Sequence, residues 1–178
     1  MNLFKRFWKI LTNGKNLLLM EGTLRVSHFI PDPNGTVILD GVCCREVKED
    51  RRKVTKCVTT AYAELLVDEL QASDANHSLF KYHDTGTGVV AEDVGDTALG
   101  TPCGEARDVG TQEEGATSVI YKSVATHTYA GAFAITEHGL FNAAAAGCLM
   151  DRSVFAAVNV VATEKITTDY QLTVTAGG

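Results

Sequence analysis

Apolar and polar residues alternate along Thr23-Leu24-Arg25-Val26-Ser27-His28-Phe29, the period-two pattern of a half-buried β-strand. Residues 17–29 and 36–47 are predicted as two strands. The turn between them is Pro31-Asp32-Pro33-Asn34-Gly35. Proline fixes φ there, and Asn-Gly tolerates a positive φ. The next segment, Lys48-Glu49-Asp50-Arg51-Arg52-Lys53, mixes both charge signs and reads as a solvated strand end or loop.

The period changes at residues 59–72. Tyr62, Leu65, Leu66 and Leu70 fall on one helical stripe, with Glu64, Asp68 and Gln71 opposite. Thr59 or Thr60 can cap this helix by accepting from its first free N–H groups, and Ser73-Asp74-Ala75-Asn76 ends it. A second helical pattern lies in residues 2–12. Leu3, Phe4, Phe7, Trp8, Ile10 and Leu11 recur near helical spacing, and Lys5, Arg6 and Lys9 occupy the remaining arc. That is a short amphipathic helix or arm. Its six apolar residues are candidates for docking on a partner or on the domain itself.

From residue 79 onward the chain is rich in Thr, Val, Ala, Ile and Tyr, with turn signals at short intervals. Phe80-Lys81-Tyr82 is expected as a short strand leading into a long loop from Asp84 to Cys103. Further strands are expected near 104–111, 116–126, 128–136, 153–161 and 166–176. Gly110 to Gly115 and Thr126 to Thr128 are expected as turns, and residues 136–147 as a loop. In 166–174, Tyr170, Leu172 and Val174 share a face. Many short strands and one helix make a mainly β fold, an antiparallel β-sandwich or jelly roll. Residues 1–16 are the arm and 17–178 the sandwich domain, helix included.

Charge narrows the partners. The formal net charge of −6 argues against nucleic-acid binding, which needs clustered Lys and Arg against phosphate. No segment has the roughly 18 apolar residues of a membrane span. The run Leu17-Leu18-Leu19-Met20 is short, meets Glu21 and Arg25, and lacks a small-residue cleavage site, so no signal peptide is expected. The five cysteines, Cys43, Cys44, Cys57, Cys103 and Cys148, form no CxxC pair. They read as reduced, small buried residues, with a bond between neighbouring subunits as the alternative.

Candidate chemistry is thin. Asp84-Thr85-Gly86 matches the tripeptide of aspartic proteases, but those need two such aspartates sharing a proton. A turn is the simpler reading. His28, His77, His83, His127 and His138 form neither HExxH nor an i, i+4 ligand pair. Glu137 and His138 are adjacent, and on a strand they point to opposite faces. Surface or hydrogen-bonded histidines are therefore expected. Cys57 or Cys103 could act as a nucleophile only through a partner brought close by the fold. Gly104-Glu105-Ala106-Arg107 lacks a phosphate-cradle signature. Asp84, Glu92, Asp93 and Asp96 gather carboxylates in one loop without the EF-hand spacing for calcium. No catalytic, cofactor-binding or metal-binding residue is assigned, and an enzyme is not expected.

The stretch from Phe80 to Gly178 resembles a family of small tailed-bacteriophage virion proteins. The resemblance is carried by Phe80-Lys81-Tyr82-His83-Asp84-Thr85-Gly86-Thr87-Gly88, Asp96-Thr97-Ala98-Leu99, Ile135-Thr136-Glu137-His138-Gly139-Leu140-Phe141-Asn142-Ala143 and Leu149-Met150-Asp151-Arg152-Ser153-Val154-Phe155. Val58-Thr59-Thr60-Ala61-Tyr62, entering the helix, is similar too. The family's Gly-rich stretch after Phe141-Asn142 is alanine-rich here. The resemblance implies a virion structural role and no catalytic residues. It suggests a capsid decoration (cement) protein that binds the major capsid protein, forms a homo-oligomer, and resides in virions assembled in the host cytoplasm. A tail, adaptor or fibre-base component bound to other virion proteins is the first alternative. A carbohydrate-binding sandwich using Tyr82, Tyr121, Tyr129 or the 84–102 loop is the second.

Overall fold

The computed structural model describes residues 19–56, 58–62, 65–66 and 79–175. The arm, with Leu3, Phe4, Phe7, Trp8, Ile10 and Leu11, lies outside the described residues, as do Cys57, His77 and much of the expected helix. The fold is a mainly β, antiparallel sandwich, with ten strands among the described residues. These are β1 (Leu19–Pro31), β2 (Val37–Leu39), β3 (Val42–Lys56), β4 (Tyr82–Gly86), β5 (Asp108–Val109), β6 (Thr111–Glu114), β7 (Ile120–Thr128), β8 (Phe133–Phe141), β9 (Leu149–Val160) and β10 (Lys165–Thr175). Six form one sheet in the order β2-β3-β1-β10-β7-β6, and four form the other in the order β5-β4-β8-β9.

Period-two alternation builds the interface between the sheets. Leu24, Val26 and His28 of β1, Ser123, Ala125 and His127 of β7, and Ile166, Thr168, Tyr170 and Leu172 of β10 are all buried. Ile135 and Leu140 of β8 and Val158 and Val160 of β9 complete the main core from the four-stranded sheet. Each large apolar side chain removed from water there contributes about 1.5–3 kcal/mol. A smaller cluster of Leu99, Phe141 and Leu149, with Tyr82 against it, lies apart from that core. Leu99 comes from the long segment that follows β4, so β8 is buried on both faces.

Several expected boundaries move. Residues 36–47 are a hairpin, not one strand: Asp40 and Gly41 have φ of 49° and 77°, and Leu39 pairs with Val42. This is the two-residue turn whose twist matches antiparallel strands. The expected turn before it holds, because Asp32 accepts from the N–H groups of Asn34 and Gly35. The charged run belongs to β3, with a register shift: Val26 pairs with Arg52 and His28 with Val47, so residues 48–51 bulge opposite Ser27.

Asp84-Thr85-Gly86 is not a turn but the end of β4, paired with β8. The expected strand over 104–111 is broken at Gly110, where the chain passes from β5 in one sheet to β6 in the other. Gly110 is buried, and a Cβ on it would stand 2.6 Å from both His83 Nε2 and Ser123 Oγ, so the corner needs glycine. Residues 111–114 are strand rather than turn, and Thr126 to Thr128 end β7. The strand expected at 128–136 starts later, at Phe133, and runs through Phe141 across the first half of the expected loop. Burial on both faces removes the alternation that would have marked it as a strand. β9 likewise starts earlier than expected, at Leu149. Residues 60–62 and 65–66 are helical, and the capping choice falls on Thr59, whose Oγ1 accepts from Tyr62 N at 3.2 Å.

Candidate functional site

Two polar centres lie back to back across the four-stranded sheet. The inner one is a cluster of three buried histidines, His83 on β4, His127 on β7 and His138 on β8. His83 Nδ1 lies 2.9 Å from His138 Nε2, and one nitrogen from each ring can be chosen so that all lie within 4.8 Å of one another. Thr168 Oγ1, from β10, is 3.1 Å from both His83 Nδ1 and His127 Nε2.

The outward-facing nitrogens of two of these rings are held. His127 Nδ1 lies 2.8 Å from Asp108 Oδ2, and His83 Nε2 lies 2.8 Å from Ser123 Oγ. An ionised carboxylate only accepts, so His127 Nδ1 carries the hydrogen of that bond, while Nε2 faces Thr168. His138 Nδ1 is buried with no hydrogen-bond partner. Burial first, and the neighbouring imidazoles second, push the pKa of His83 well below the usual histidine range; burial and then His127 do the same to His138. Both rings are therefore neutral at physiological pH, the form that ligates metals.

The outer centre is charged. Glu137, fully buried on β8, accepts hydrogen bonds from the backbone N–H groups of Gly88 (2.9 Å), Gly100 (2.9 Å) and Thr101 (2.7 Å). Arg152 of β9 adds a charge-assisted bond from Nε at 2.8 Å, with a second guanidinium contact at 2.7 Å. Burial by itself would raise the Glu137 carboxyl, but the backbone donors and Arg152 together hold it below the usual glutamate range. Arg152 also reaches Asp96 Oδ2 at 2.9 Å and donates to the Val90 carbonyl at 3.2 Å. The whole segment from Gly88 to Thr101 is thereby fastened to the sheet. Cβ atoms at Gly86 or Gly88 would lie 2.5 Å from Glu137 Oε1, so bare backbone is required at both positions.

The other sequence candidates divide between structural use and burial. Asp84 receives Arg107 Nε at 3.1 Å, and Asp93 accepts from Gly95 N at 2.8 Å. With Asp96 on Arg152, three carboxylates of the suggested calcium loop are engaged within the fold. Arg107 also lies 3.4 Å above the Phe141 ring centroid and donates to the Ala143 and Ala146 carbonyls, fixing the alanine-rich loop. Tyr129 is buried and donates to Thr85 Oγ1, while Tyr121 donates to the Phe80 carbonyl, so neither presents an open platform. Cys103 lies 3.5 Å from Thr85 Oγ1, and burial pushes the Cys148 thiol up. Cys43, Cys44, Cys103 and Cys148 are free thiols, of which only Cys44 is fully buried. His28 is buried between Asp50 (2.8 Å) and Glu164 (3.1 Å), as a hydrogen-bonded histidine rather than a surface one.

The histidine cluster has no counterpart in local spacing, since its members stand on three separate strands. The alternation of Glu137 and His138 was readable, and they do point to opposite faces. Comparison with protein-family models, curated proteins and solved structures finds no match. Among the described residues, no helix is long and apolar enough to cross a membrane.

Proposed function

We propose that the chain is a structural component of a tailed-bacteriophage virion, a decoration protein that stabilises the head by binding the major capsid protein. The observation that carries this reading is the rigid display of Val89 and Val90. Their side chains are 75% and 74% exposed, yet the backbone on which they stand is anchored by Glu137 to Gly88 N and by Arg152 to the Val90 carbonyl. Two adjacent apolar side chains held out on a fixed loop lose little conformational freedom when a partner covers them. The acidic surface, the sandwich and the amphipathic segment of residues 2–12 fit the same role.

Purified virions are expected to carry this chain at copy numbers comparable to the major capsid protein. The double variant Val89→Asp, Val90→Asp is expected to lower incorporation at least about tenfold, the effect of roughly 1.4 kcal/mol, with an unchanged denaturation midpoint. A handful of copies confined to the tail vertex would replace this reading with that of a tail or adaptor component.

A further inference from the structure

We propose that the three-histidine cluster between the sheets is a binding site for one zinc-class divalent cation, ligated by His83 Nδ1, His127 Nε2 and His138 Nε2. Tetrahedral zinc with Zn–N bonds of 2.0–2.1 Å places its ligand atoms about 3.3 Å apart. His83 Nδ1 and His138 Nε2 are 2.9 Å apart, Thr168 Oγ1 is 3.1 Å from each of His83 Nδ1 and His127 Nε2, and one nitrogen from each of the three rings lies within 4.8 Å of the others, so small ring adjustments bring the set to that spacing. Three nitrogens and the Thr168 hydroxyl, or a water beside it, would supply the four ligands of such a site. Imidazole donors suit zinc over calcium or magnesium, which take oxygen ligands.

The surroundings have the form of a ligand shell. Asp108 holds the far nitrogen of His127 and Ser123 can accept from that of His83, an arrangement that would leave the inward nitrogens of both rings free to ligate. His138 differs. Its Nδ1 is buried without a partner, so its hydrogen-bonding capacity is directed at the cluster through Nε2 alone. A small cleft of about 160 Å³ is lined by His127 together with Asp84, Glu105 and Asp108. These carboxylates attract a dication and offset its charge once bound. Because His127 belongs to the six-stranded sheet and the other two ligands to the four-stranded one, the ion would tie the two layers together.

The test uses the full chain, stripped with EDTA, returned to chelator-free buffer and titrated with Zn²⁺, and separately with Co²⁺ as a visible-absorption probe. The expected result is one equivalent bound per chain, a tetrahedral cobalt spectrum, and a Tm raised by about 5–10 °C at saturating zinc. His127→Gln and His138→Gln are each expected to abolish the stoichiometric uptake and the Tm shift. Should His138→Gln not fold, His127→Gln and Asp108→Asn, both at the rim of the cleft, give the same reading. Wild-type protein that stays folded but takes up less than about a tenth of an equivalent, with an unmoved Tm, overturns the proposal. Undiminished uptake by His127→Gln overturns it too, since the ion would then sit elsewhere.

Discussion

Glu137 and His138 are neighbours on one strand and belong to two different interiors. On the inner face, His138 joins other imidazoles and hydroxyls, where burial disfavours the charged form of His138 and His83. On the outer face, Glu137 keeps its charge at equal depth, because three backbone N–H groups and a guanidinium solvate it in place of water. The difference lies in donors rather than in exposure. Loop backbone can aim free N–H groups at a carboxylate, whereas a sandwich interface, its backbone already paired, offers only side chains.

The contrast predicts unequal costs. The largest belongs to Glu137→Gln, which leaves Arg152 with the more exposed Asp96 as its remaining counter-charge and three backbone N–H groups facing a weaker acceptor, and should lower stability by about 3 kcal/mol in guanidinium denaturation. A loss below about 1 kcal/mol would mean that the centre is solvated and the contrast mistaken. The same pair of proteins carries a pH signature. Because the folded-state pKa of Glu137 is depressed, its contribution is fully present above the ordinary glutamate range and fades as pH falls through the folded value. The stability gap between wild type and Glu137→Gln should therefore be widest near neutrality and close in acid.

Ser123→Ala, measured in the presence of chelator, removes a neutral partner from His83 Nε2 and should cost only about 1 kcal/mol. A cost equal to that of Glu137→Gln would show that the inner centre is charged after all. The smallest effect is expected at Ala146, whose φ of 52° lies in the left-handed region although it has a Cβ. Ala146→Gly should raise the denaturation free energy by about 0.5–1 kcal/mol, leaving the Arg107 anchor of that loop in place.

How much of this could be read from the chain depended on how many faces each strand buries. Where one face is buried, as in Leu24, Val26 and His28 or in Tyr170 and Leu172, alternation marks the strand. Where both are, as in Glu137-His138-Gly139-Leu140-Phe141, the run contains a carboxylate, an imidazole and a glycine and reads as a loop. Tertiary covering, not local preference, makes it a strand. The Thr59 cap and the Pro31 to Gly35 turn were legible because their bonds are local. Asp40-Gly41 was equally local, a two-residue hairpin signal inside what reads as a continuous strand. The histidine cluster was not legible, since its members meet only when the two sheets pack. Glu137 and Arg152 are brought together by β8–β9 pairing, with a register shift at each end of the contact region.

That double burial of β8 also acts as a proofreading device during folding. In a sheet with one wet face, sliding a strand by one residue moves its whole core set into solvent, and the loss of that single face opposes the error. Here the same slip would drive the Glu137 carboxylate among neutral imidazoles and set the His138 ring against the Arg152 guanidinium. Both compartments would reject the misplaced chain at once, so the pairing of β8 with its neighbours has a single admissible alignment.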